Sequence, residues 1–146
     1  RASKQNLPNN NHRHLSEIMN GNYEVCLVDD INPSGSSNPS DFAVYKDKLY
    51  FSADDGVNGN ELWSYNSTTD TAALVADINP GGNSFPQYLT VYNDKLYFRA
   101  NDGVKGEELW SYDSTTNTHE LVADIRTGTR SSSPQWMTVY NDKLYF

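Results

Sequence analysis

The residues best placed to do chemistry lie in an acidic, glycine-containing stretch, Asp54-Asp55-Gly56-Val57-Asn58-Gly59-Asn60-Glu61, and in its echo Asn101-Asp102-Gly103-Val104-Lys105-Gly106-Glu107-Glu108. Calcium takes about six to eight oxygens, several of them carboxylate, on a turn that glycine permits. Asp54, Asp55, Asn58 and Glu61 supply such oxygens in the first copy, as do Asp102 and Glu107 in the second, so calcium is the cofactor this set would take. The competing reading is a hairpin loop whose Asp and Asn side chains bond their own backbone. Two features favour the hairpin: the spacing is not that of an EF-hand, and Lys105 stands where the first copy has Asn58, which would repel a cation. Asp30, Asp77 and Asp124 recur at one phase inside apolar strands. A carboxylate repeated in every copy is expected to tie down a turn by accepting backbone N–H groups, because catalysis needs a residue once and a fold needs it each time.

Other reactive groups are sparse. His12, His14 and His119 are the only histidines, and neither His12 nor His14 has a Cys or carboxylate cluster at metal-ligand spacing. No Ser-His-Asp arrangement, phosphate-binding loop or dinucleotide fingerprint is present. The lone cysteine, Cys26, has no partner for an internal disulfide and reads as a small apolar space-filler between Val25 and Leu27. Asn66-Ser67-Thr68 is an N-glycosylation acceptor in a turn, with meaning only in a eukaryotic secretory setting.

The elements that position these groups follow from composition and repetition. Ten Tyr, five Phe and three Trp stand against two Met, among abundant turn-forming residues, a composition for many short strands. The net charge of −8 argues against nucleic acid and anionic membrane surfaces as partners. No apolar run is long enough for a membrane-inserted helix. Leu27-Val28 returns as Leu74-Val75 and Leu121-Val122, a period of 47 residues. Asp47-Lys48-Leu49-Tyr50-Phe51 returns at Asp94 and Asp142, and Glu61-Leu62-Trp63-Ser64-Tyr65 returns at Glu108. Repetition at this period is the mark of propeller and solenoid architectures.

Each unit reads as four antiparallel strands, in the fullest copy 87–92, 95–100, 107–112 and 118–125. Both faces of these strands carry apolar groups: Trp63 and Tyr65 share one face while Leu62 takes the other. A sheet with one wet face would alternate cleanly, so these sheets should stack face to face, as propeller blades do. The expected fold is all-β: tandem four-stranded antiparallel blades, β-propeller-like but incomplete, with about two and a half repeats. The repeats fall at approximately 27–73, 74–120 and 121–146, within a repeat domain spanning 23–146. The chain enters on a fourth-type strand, Tyr23 to Ile31. An irregular arm, 1–22, with one helical turn at Leu15 to Met19, precedes it. With neither an initiator Met nor a signal peptide at its start and a strand cut short at Phe146, the chain reads as part of something longer. Three blades do not close a ring, which leaves further repeats, assembling copies or an open array. Gln135-Trp136-Met137 departs from the matching Gln87-Tyr88-Leu89 and Ser40-Asp41-Phe42, and this variation marks Asp41, Tyr88 and Trp136 as surface-facing positions for binding.

The runs LVADINPGGNSFPQYLTVYNDKLYFRANDGVKGEELW and ELWSYNSTTDTAALVADINPG resemble the ELWxxDGT repeat of large bacterial and other secreted or surface proteins. The resemblance covers residues 27–146. It departs in the turn after Glu-Leu-Trp, where Asn66-Ser67-Thr68-Thr69 and Asp113-Ser114-Thr115-Thr116 replace Asp-Gly-Thr. That turn is similar to a kelch turn, although the kelch double glycine is absent. The resemblance implies a β-propeller-like repeat array and no defined enzymatic activity. The expected function is a non-enzymatic binding or scaffolding module, extracellular, at the cell surface or lumenal, with a protein partner or assembly. Two alternatives stay open: a calcium-dependent carbohydrate-binding or adhesion module, and a fragment of a propeller enzyme.

Overall fold

A computed structural model describes residues 29–146. The readings of the 1–22 arm, of the helical turn at Leu15 to Met19, of His12, His14 and Cys26, and of most of the strand from Tyr23 lie outside the described residues. Ten strands follow: β1 (Ser40–Tyr45), β2 (Lys48–Asp54), β3 (Asn60–Asn66), β4 (Thr71–Ala76), β5 (Gln87–Tyr92), β6 (Lys95–Asn101), β7 (Glu107–Asp113), β8 (Thr118–Ala123), β9 (Thr138–Tyr140) and β10 (Lys143–Tyr145). The chain is all-β over this range. It forms two four-stranded antiparallel meanders, β1-β2-β3-β4 and β5-β6-β7-β8, and a β9-β10 hairpin.

The two meanders repeat each other residue for residue. Leu49 pairs with Tyr65 as Leu96 pairs with Tyr112, and Phe51 with Trp63 as Phe98 with Trp110. Irregularities recur too, at Ser40/Ala43 and Gln87/Thr90 and at Leu62/Trp63 and Leu109/Trp110. The two-residue turns Lys46-Asp47, Asn93-Asp94 and Asn141-Asp142 all have both residues at positive φ. That is the mirror-type hairpin turn whose twist matches the flanking strands.

The first sheet buries Phe51 on one face and Tyr50 and Leu62 on the other; the second buries Leu96 and Phe98 on one face and leaves Tyr97 on the other half-buried. One cluster joins Tyr45, Tyr50 and Leu62 of the first sheet, and Ile78 just after β4, to Leu96, Phe98, Trp110 and Tyr112 of the second. Each large apolar side chain buried this way contributes about 1.5–3 kcal/mol. Tyrosine hydroxyls fix the spacing. Tyr45 donates to the Asp94 carbonyl at 2.7 Å, and one repeat on Tyr92 donates to the Asp142 carbonyl at 2.7 Å. The Tyr50 ring sits 5.7 Å from that of Tyr112, and burial, then the neighbouring Tyr112, pushes the Tyr50 hydroxyl pKa well up.

A buried carboxylate ties each sheet to the segment leading into the next. Glu61 is fully buried. It accepts from Ile78 N (2.9 Å), Ser84 N (2.9 Å) and Ser84 Oγ (2.6 Å). Glu108 accepts the same set from Ile125 N (3.0 Å), Ser132 N (2.9 Å) and Ser132 Oγ (2.6 Å). This is the role expected of the recurrent aspartates, and the glutamates perform it. The Asp77 and Asp124 Oδ1 atoms are buried with no hydrogen-bond partner. The glutamate has the extra methylene needed to reach a loop that lies beyond its own sheet.

Candidate functional site

The acidic loops are built from their own side chains. Asp54 Oδ1 accepts Gly56 N at 2.6 Å, and Asp55 Oδ1 accepts Val57 N at 2.9 Å and Asn58 N at 2.7 Å. Asp55 Oδ2 takes the Asn58 side-chain amide at 2.7 Å. Burial acts to raise the Asp55 pKa, but the bonds from Asn58 and Val57 outweigh it and hold the carboxyl below its ordinary value. In the second copy Asp102 Oδ1 accepts Val104 N at 2.8 Å and Lys105 N at 2.7 Å. Of the sequence-derived metal set, then, Asp54, Asp55, Asn58 and Asp102 shape turns. Glu61 does not join them, because its carboxylate is spent inside on Ile78 and Ser84, and Glu107 turns to Arg99 and Ser133. Among the described residues no three His, Cys, Asp or Glu side chains are grouped to hold a metal ion. Asn66 caps its own turn, with Oδ1 accepting Thr68 N at 2.9 Å, as Asp113 accepts Thr115 N at 2.8 Å.

The varied position is different, because here the structure brings the three copies together. Asp41 and Tyr88 lie within the bulges at the start of β1 and β5, and Trp136 occupies the corresponding place before β9. All three are left-handed, at φ 54°, 59° and 55°. A bulge of this kind bends the strand and re-aims one side chain. Here it aims them into a row. Asp41 Oδ1 accepts Tyr88 N at 2.8 Å, and the Tyr88 and Trp136 rings meet edge to face with centroids 5.3 Å apart. Downstream threonines hold the two aromatic positions: Thr90 Oγ1 donates to the Tyr88 carbonyl at 3.1 Å and Thr138 Oγ1 to that of Trp136 at 3.0 Å. Trp136 is 77% exposed, the most exposed aromatic side chain described.

Beneath the row lies a residue that sequence reasoning missed. Arg99 stacks its guanidinium on the Tyr88 ring, 5.0 Å from the centroid, bonds the Gln87 side chain and pairs with Glu107 at 3.6 Å. Its counterpart in the first sheet is Ser52, which bonds Asn60, the counterpart of Glu107. So Ser40, Asp41, Ser52 and Asn60 change together into Gln87, Tyr88, Arg99 and Glu107. The signal for Arg99 is the same variation between copies, Ser52 in β2 against Arg99 in β6.

Chemically, the row offers an exposed indole plane, a cation-backed tyrosine and flanking amide and carboxylate groups. It can stack on and hydrogen-bond a partner; it contains no paired nucleophile and base. Among the described residues, no helix is long and apolar enough to cross a membrane. No family model matches the chain, and no curated protein matches it.

Proposed function

We propose that this chain is part of an ELW-type, propeller-like repeat array acting as a non-enzymatic binding or scaffolding module, with the Asp41–Tyr88–Trp136 row as its recognition surface. One observation carries the reading. Three successive copies hold the same left-handed backbone at this position and put three different side chains on it, two of them aromatic. Where a repeat keeps the backbone and varies the side chain, the fold supplies the platform and the side chain meets the partner. Trp and Tyr, one exposed and one backed by an arginine, are residue types that dominate binding energy at protein interfaces. The likeness of residues 27–146 to the ELWxxDGT repeat supports an extracellular, surface or lumenal setting and further blades in the intact array.

The test is a paired screen of the chain and its Trp136→Ala variant against an extracellular protein library and a glycan array. Ligands that lose about tenfold or more in affinity on Trp136→Ala, equivalent to about 1.4 kcal/mol, support the row as the surface. Ligands that bind both forms equally refute it. Glycan hits abolished by a calcium chelator would instead favour the calcium-dependent adhesion reading.

A further inference from the structure

We infer that Val57, Phe85 and Val104 form a second docking surface, set on the loops, for a protein partner that offers an apolar patch rimmed by basic residues. The three side chains are 85%, 52% and 66% exposed. Single exposed apolar residues are ordinary, but these are carried by three segments that touch. Val57 lies in the β2–β3 loop, Val104 in the β6–β7 loop and Phe85 in the connector between the two sheets. Asn60, which closes the first loop, takes Ser84 N and Phe85 N on its carbonyl at 3.0 and 3.2 Å. Asn101, which opens the second, donates its N–H to the Ser84 carbonyl at 2.9 Å. Val57 also shares a cleft of about 310 Å³ with Gly81, Gly82 and Asn83 of the connector. The first loop is flanked by Asn32 at Gly56 and Gly82 at Gly59, the second by Asn79 at Gly103 and Ser131 at Gly106. Both loops thus have their neighbours in place, and the valines still project.

Phe85 carries the argument. It precedes the buried Pro86 and has φ 49°, a left-handed conformation unusual for a bulky residue. Its counterparts Asn38 and Ser133 share that backbone, at φ 43° and 51°. The bonds to the Asn60 carbonyl fix the chain at Phe85, as those from Ser132 N and Ser133 N to the Glu107 carbonyl do one repeat on, and none of them needs the phenyl ring. A small polar residue serves the fold in two copies, so a half-exposed ring on a strained backbone in the third points to a use outside the fold. The valine tips are ordered in advance, since Asp55 Oδ1 accepts Val57 N and Asp102 Oδ1 accepts Val104 N, and binding therefore costs little further ordering. The partner's chemistry follows from the rim. Asp54, Asp55 and Asp102 stand in the same loops, whereas Lys105 is paired with Asp124 and Arg99 with Glu107. The surplus charge is negative, which fits Lys or Arg around an apolar centre. Valine has no flat face on which a sugar could stack, so the partner is a protein. The inference does not rest on the aromatic row.

The test selects a displayed library of random peptides on the chain at low salt. Expected are peptides with apolar residues flanked by Lys or Arg, which bind Phe85→Asn at least about tenfold more weakly and lose affinity as salt rises. They should bind Trp136→Ala as they bind the wild type, which separates this surface from the row. Phe85→Asn imports the residue of the first copy and should hold or raise the urea midpoint. A selection with no peptide sensitive to Phe85→Asn, or with sensitive peptides that lack basic residues or ignore salt, overturns the inference. So does a lower midpoint for Phe85→Asn, which would make the ring part of the fold.

Discussion

Replacing Glu61 and Glu108 separately by glutamine turns the two repeats into an internal control. Each carboxylate accepts three bonds from the loop that leads to the next sheet. Glutamine has one oxygen. If it stays on Ile78 N and Ser84 Oγ, the new amide faces Ser84 N, donor against donor, and Ser84 N keeps only its 3.0 Å bond to the Asn60 carbonyl. A buried donor without a partner costs about 1–3 kcal/mol. Glu61→Gln should therefore destabilise the chain by about 2 kcal/mol, lowering Tm by about 4–8 °C at this chain length. At the second site the chemistry is identical, but Ile125 and Ser132 reach solvent, so water can take up the lost bonds and Glu108→Gln should cost about half as much. Urea denaturation followed by tryptophan fluorescence reads both as shifts in midpoint at constant slope. Equal costs, or a larger cost at Glu108, would refute the reasoning. The pH dependence gives a second check. Burial raises the Glu61 pKa above its ordinary value of 4.5. As pH rises from that value through the raised one, the unfolded chain has already lost the proton that the folded chain still holds, so wild-type stability falls. Glutamine carries no such proton, and the gap between Glu61→Gln and wild type should narrow across that window.

Gly59→Ala should destabilise by about 2 kcal/mol or more, because φ is +80° and a Cβ would fall on the Gly82 carbonyl; a chemical-denaturation midpoint equal to wild type would contradict this. Thermal melts in millimolar calcium should show no rise in Tm, since the Asp54 and Asp55 carboxylates are engaged by their own turn; a rise of several degrees would restore the metal reading. Arg99→Ser should cost about 1–2 kcal/mol, and adding Glu107→Asn should return part of it by importing the Ser–Asn pair of the first sheet, a coupling that a double-mutant cycle measures directly.

Strand order and bounds were legible because the repeat supplied its own alignment. The expected 87–92 coincides with β5, and the other three strands of that sheet differ from expectation by one or two residues at their ends. The stacking of sheets was legible from the alternation of Leu62 against Trp63 and Tyr65. Glu61 was misplaced because its sequence neighbours are loop acids, while its partners lie 17 and 23 residues downstream, beyond the next strand. A signal was nonetheless present: Glu61 and Glu108 share a strand face with Trp63 and Trp110, and a carboxylate repeated on an apolar face has to be buried and satisfied. The row at Asp41, Tyr88 and Trp136 was legible as variation but not as contact. Contact depends on the bulges, and a bulge shifts the alternation by one residue at a point that only the pairing with the neighbouring strand reveals.

The backbone at Trp136 bears on whether that row is retained for its side chains. At φ 55° a residue with a Cβ sits in the left-handed region, at a cost of about 1–2 kcal/mol that glycine does not bear. A purely structural position would favour Gly or Asn, as left-handed turns commonly do. Asp41 fits that pattern, since Asp visits this region readily, but Tyr88 and Trp136 do not. Trp136→Ala and Trp136→Gly remove the same ring and the same edge contact with Tyr88, so they differ only in the backbone. At an ordinary strand position glycine is the less stable of the two by about 0.5–1 kcal/mol. At residue 136 the order should invert, with the glycine variant more stable than the alanine variant by about 1 kcal/mol in urea denaturation and both equally defective in binding. Alanine equal to or more stable than glycine would mean the bulge is unstrained. The case for a functional row would then lose its energetic half and rest on variation alone.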